Sequence, residues 1–116
     1  RAETFSGPVS GSDVNEILKV ADLSMNTRTR DVSRGDRAIR LSVKEYDLLN
    51  FLMRGAGRVL ERQEIMHGVW GENFYGDDNL LDVYIRYLRQ KVELDDAPTL
   101  IHTVRGVGFI LREQSN

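Results

Sequence analysis

Apolar and polar positions change rhythm twice along this chain, and the changes divide it into sheet, helices and hairpin. From Ile17 to Leu41 the apolar residues fall in short runs, ILKVADL, MNTRTRDV and RAIRL, separated by polar residues suited to turns. Such runs predict strands, and RGD at 34–36 is the clearest hairpin signal, so a small antiparallel sheet is expected here. At Ser42 the period lengthens. SVKE reads as a capping box, in which the Ser42 hydroxyl accepts from the Glu45 backbone N–H and the Glu45 side chain reaches back. Tyr46, Leu49, Leu52 and Met53 then recur at helical spacing until GAG at 55–57 stops the run. After a VLER connection, Ile65, Met66, Val69 and Trp70 predict a second helix over QEIMHGVW. GENFYGDD, residues 71–78, is too rich in acids and glycine to continue it and reads as a loop.

NLLDVYIRYLRQKVE, residues 79–93, is the third helix, with Asp78 or Asn79 as its N-cap. ELDDAP then forms a turn, and IHTVRGVGFILRE reads as strand, tight turn, strand: a β-hairpin. Residues 1–15, RAETFSGPVSGSDVN, have a Gly- and Ser-rich composition that favours a flexible segment, equally a linker between domains or a disordered terminus, ahead of a folded domain over 16–116.

At about 100° per residue, Leu81, Ile85, Leu88 and Val92 form one narrow stripe that must face a core. Asn79, Val83, Arg86, Tyr87 and Gln90 lie opposite, and none is acidic. Asp82 and Arg89 share one flank, Tyr84 and Lys91 the other. Asp82, four residues before Arg86, is spaced for an intrahelical ion pair.

Charge sharpens this reading. A net charge of −2 gives no global signal for nucleic acid, so any such role must rest on local charge. Residues 79–92 carry +2, between an acidic segment before (Glu72, Asp77, Asp78) and another after (Glu93, Asp95, Asp96). Amides and arginine can bond base edges, Val83 can meet a thymine methyl, and arginine or tyrosine can hold phosphates. A solvated helix face would show the same pattern, and on the helix alone the two readings are evenly matched. TVRGVG shifts the balance. It puts Arg105 at a hairpin tip, with Gly106 and Gly108 permitting an unusual turn and close approach to another backbone. A helix for the major groove and an arginine-tipped hairpin for the adjacent minor groove make a winged helix-turn-helix.

Other chemistries find little support. Without cysteine there are no disulfides or thiolate metal sites, which fits a reducing compartment. No apolar run is long enough to span a bilayer. His67 and His102 are too few and too far apart for a metal site. No nucleophile has a recognisable base partner, and RGVG is too short for a phosphate loop, so neither enzyme activity nor a cofactor is expected. Residues 27–41 hold five arginines (28, 30, 34, 37, 40) against Asp31 and Asp36. That run is either a solvated sheet face or a docking surface for another domain. Trp70 reads as a core residue whose indole N–H can still reach a phosphate. The rival function is a winged helix that binds protein instead of DNA, distinguished by how steeply affinity falls with salt.

LSVKEYDLLNFLM, VLERQEIMHGVWG, DDNLLDVYIRYLRQKVE and IHTVRGVGF occur in this order between about Leu23 and Leu111. On these segments the chain resembles the effector domain of the OmpR/PhoB family of two-component response regulators. The resemblance implies an α+β fold: a four-stranded antiparallel N-terminal sheet, three helices and a C-terminal wing. It implies a cytoplasmic transcription factor, with an aspartate-phosphorylated receiver domain ahead of the linker and two copies bound to a tandem direct repeat of duplex DNA. Starting at Arg1 rather than Met fits a piece of a longer chain. By family position, Asn79, Val83, Tyr84 and Arg86 would approach bases. Arg62, Trp70, Tyr87, Arg89 and Thr103 would meet the DNA backbone, and Arg105 would probe the minor groove. Loop 71–78 corresponds to the segment that in activators touches RNA polymerase. Leu80 stands where many members have Thr or another small residue, and Asn79 and Tyr87 replace arginines used by some. Those departures bear on the target sequence.

Overall fold

Turns cut the three expected β-runs into four strands: β1 (Ile17–Val20), β2 (Leu23–Asn26), β3 (Asp31–Arg34) and β4 (Arg37–Ile39). The computed structural model describes residues 16–72, 74, 79–94 and 97–113; the linker expected over 1–15 lies outside them. Ala21, at φ 54°, turns the chain between β1 and β2. Asn26 turns it after β2, its Oδ1 accepting from the backbone N–H groups of Arg28 and Thr29 at 2.9 and 3.1 Å. The strands pair antiparallel in the order β1-β2-β3-β4, with Met25 opposite Val32 and Val32 opposite Ile39. Leu23, Met25, Val32 and Ile39 are thereby buried together.

Arg34 points the same way. It is 2% exposed, not part of a solvated arginine face. Its guanidinium donates to Asp22 Oδ1 (3.0 Å), Val92 O (3.0 Å), Glu93 Oε1 (3.2 Å) and Pro98 O (2.7 Å). Four acceptors converge from two distant segments, which is how a buried guanidinium is made tolerable.

Helix α1 (Val43–Arg54) starts at the expected capping box: Ser42 Oγ accepts from Glu45 N, and Ser42 N donates to Glu45 Oε1 at 2.8 Å. It buries Tyr46, Leu48, Leu49, Leu52 and Met53. The segment read as a mere connection contains a further strand, β5 (Leu60–Glu61), followed directly by α2 (Arg62–Trp70). Helix α3 spans Asn79–Val92; its proposed cap Asp78 is outside the described residues. The hairpin is β6 (Ile101–Val104) and β7 (Gly108–Leu111), and β5 joins it in a three-stranded sheet ordered β5-β7-β6.

Leu81, Ile85, Leu88 and Val92 are all between 0% and 2% exposed, so the phase deduced for α3 holds. Burying each such side chain contributes about 1.5–3 kcal/mol relative to leaving it in water. That burial fixes which face of α3 points away from the core.

Candidate nucleic-acid interface

Because the leucine stripe is committed to the core, Asn79, Arg86, Tyr87 and Gln90 are left exposed, and Val83 and Tyr84 half-buried. Tyr84 packs edge-on against Trp70, with ring centroids 5.5 Å apart, and Tyr84 meets Tyr87 at 5.8 Å in the same manner. Trp70 also contacts Phe74 at 6.1 Å. The aromatics thus brace α3 against the end of α2. Trp70 is half-buried and packs on the core, as its helical position suggested.

The ion pair expected within α3 does not form. Asp82 instead accepts from Arg62 across the α2–α3 crossing, with Nη1 on Oδ1 at 2.9 Å and Nη2 on Oδ2 at 3.1 Å. Two parallel bonds to a planar guanidinium are stronger and more directional than one exposed pair four residues along a helix. Arg86 is left without a hydrogen bond or ion pair among the described residues; its guanidinium carbon lies 5.8 Å from the Tyr87 ring centre.

Arg89 is engaged on the other side. Its Nη2 donates to Thr103 Oγ1 at 2.7 Å and to Ile101 O at 3.1 Å, and its Nε to Ile101 O at 3.3 Å. The guanidinium carbons of Arg62 and Arg89 stand 6.0 and 5.9 Å from the centre of the Phe109 ring on β7. Arg62, Asp82, Arg86, Arg89, Gln90, Thr103 and Phe109 wall a cleft of about 520 Å³ between α2, α3 and the hairpin. Of the expected contact residues, then, Arg62, Arg86, Arg89 and Thr103 meet in one cleft. Phe109 and Gln90 line it too, though neither is among the expected contact residues; Gln90 belongs to the face opposite the leucines, where amides can bond base edges, and Phe109 had no expected role.

Arg105 is exposed in the hairpin turn. Gly106 takes φ 74°, and Val107 N closes the turn on Val104 O at 3.0 Å. Val107 O in turn accepts from Arg62 N at 3.2 Å, tying the tip to the start of α2. At Gly108 a Cβ would sit 1.9 Å from Leu60 O, so only glycine lets β7 pair with β5. Both glycine roles expected from the sequence are present.

Opposite the hairpin, Lys91 Nζ donates to Glu45 Oε1 at 2.6 Å, joining α3 to the capping box of α1. Burial works against ionisation of Glu45. The Lys91 hydrogen bond, the Ser42 backbone N–H and the Lys91 charge outweigh it and hold the carboxyl below its ordinary value. Of loop 71–78, only Gly71, Glu72 and Phe74 are described. Among the described residues no helix is long and apolar enough to cross a membrane.

The family described as "Transcriptional regulatory protein, C terminal" matches residues 36–111. The chain is 42% identical over 112 residues to the uncharacterized transcriptional regulatory protein YkoG of Bacillus subtilis, covering 97% of this chain and 49% of that one. It is 46% identical over 106 residues to the response regulator MprA of Mycolicibacterium vanbaalenii, covering 91% and 46%. The chain therefore spans about half the length of these curated relatives. Among solved structures, the RstA DNA-binding domain of Klebsiella pneumoniae, in complex with the RstA box, is similar with a TM-score of 0.74 and 30% identity. That likeness covers 84% of this chain and 97% of that one.

Proposed function

The chain belongs to the OmpR/PhoB-type response regulators, as their C-terminal DNA-binding domain, and from that premise we propose that it reads duplex DNA with α3 in the major groove and the β6–β7 wing in the minor groove. Asn79, Val83, Tyr84 and Arg86 approach base edges. Arg62, Trp70, Tyr87, Arg89 and Thr103 meet the sugar–phosphate backbone, and Arg105 enters the minor groove beside it. Two copies occupy a tandem direct repeat. A receiver domain, joined through residues 1–15, controls that occupancy, and loop 71–78 meets RNA polymerase. The working compartment is the cytoplasm.

One observation carries the reading: Arg62, Arg86, Arg89 and Thr103, from three elements far apart in sequence, line a single cleft. The RstA domain's complex with its box supports it by likeness. A winged helix used only for protein contacts has no need of three guanidinium groups in one cleft.

Selection of bound sequences from random duplex DNA tests this directly. The expected outcome is two half-sites in direct repeat. Arg86→Ala should weaken the selected site by about 1–3 kcal/mol and relax preference at one base pair of each half-site. Equal weakening on every sequence would reduce Arg86 to a phosphate contact. No enrichment at low salt would leave the protein-binding alternative standing.

A further inference from the structure

The arginines lining the cleft are not equivalent. Arg86 is uncommitted among the described residues, whereas Arg89 directs two of its nitrogens at β6. Both acceptors, Ile101 O and Thr103 Oγ1, lie on one strand two residues apart, and the 2.7 Å bond to Thr103 has the length of a strong charge-assisted one. One helical turn further along, at the residue that follows α3, the Glu93 carboxylate accepts from Leu100 N (3.0 Å) and Ile101 N (2.8 Å). The base of the hairpin is thus fastened to α3 at two points one turn apart, by a cation and then by an anion. One fastening would leave the strand free to pivot; two set its angle to the helix axis.

We propose that Arg89 is a positioning residue: it is the strut that sets the wing against α3, and Arg105 reaches the minor groove only while that strut holds. The proposal rests on the groove assignments above and changes what Arg89 contributes to them. A phosphate contact acts independently of the wing. A strut acts through it, so the effects of Arg89 and Arg105 must overlap. The planar guanidinium matters for this role, because an ammonium can keep the charge but cannot span two acceptors in one plane.

The experiment is a double-mutant cycle on the selected duplex, with affinity followed against salt for the parent domain, Arg89→Lys, Arg105→Ala and the pair. Arg89→Lys should keep the salt slope and lose affinity about tenfold, together with the A·T preference flanking each half-site. In the Arg105→Ala background the same change should cost no more than about twofold. Thr103→Val removes one acceptor with no change of charge, and should show the same overlap with Arg105→Ala. Amide spectra of the free Arg89→Lys domain should shift in β6 and β7 and stay unchanged in α1, which separates a moved wing from an unfolded one. Losses that multiply in both cycles, or parent-like binding by Arg89→Lys, would overturn the strut while leaving DNA recognition intact. A parent domain indifferent to duplex at low salt would overturn both.

Discussion

Arg34 shows what single residues do here beyond the interface. It is charged yet almost sealed from water, and every acceptor around it belongs to Asp22 or to the C-terminal end of α3 and the segment that follows. Arg34→Ala would remove the guanidinium donor to Val92 O and Pro98 O and the counter-charge from Glu93. The expected cost is about 3 kcal/mol, read as a lower urea midpoint with an unchanged slope. Arg34→Lys should not restore it, since one ammonium cannot reach two carbonyls and two carboxylates together. Unchanged stability for Arg34→Ala would show that the buried cluster contributes nothing net. Part of this was legible. Val32 faces the core, and a strand's period of two puts Arg34 on the same face; reading RGD as the hairpin tip drew Arg34 into the turn instead. Its partners Val92, Glu93 and Pro98 were not legible, because they lie 58 to 64 residues away. The same holds for Asp82: local spacing offered Arg86, but the fold brought Arg62 within reach of both carboxylate oxygens.

At the scale of elements, periodicity located all three helices and the hairpin, because apolar burial is written locally. It missed β5, two residues long and recognisable only by its partner β7. Gly108 is the sequence trace of that pairing. Gly108→Ala must push β7 off the backbone of Leu60, and should cost about 1–3 kcal/mol, with faster amide exchange at Leu60 and Phe109. Parent-like exchange there would mean that the two strands part without penalty. The α1–α3 contact adds a pH dependence. Glu45 has a carboxyl value lowered on folding from 4.5, so its contribution is complete above that pH and is lost as pH falls through the lowered folded value. Glu45→Gln should therefore cost about 1 kcal/mol at pH 7 and flatten the fall in stability below pH 4.5. Urea titrations at pH 7 and pH 3 check both, and parallel acid limbs for parent and variant would reject the assignment.

Across the whole molecule α3 is the element to which the others are tied: Arg62 from α2, Glu45 from α1, Arg34 from the N-terminal sheet and Thr103 from the wing all bond to it or to its C-terminal end. A helix fixed on so many sides can present side chains to a rigid double helix without ordering them on contact, which lowers the entropic cost of binding. The chain's net charge is negative, so its overall charge supplies no attraction to DNA. Affinity must come from cations concentrated at the cleft and the wing tip. That concentration makes binding depend on orientation and on salt together. Arg105, exposed at the tip of the hairpin, should act as a separable charge. Arg105→Ala is expected to make the slope of log K against log salt shallower by about 0.9, and to erase A·T preference only at the edge of each half-site. Loss of discrimination at the central base pairs instead would move Arg105 into the major groove and invert the proposed docking.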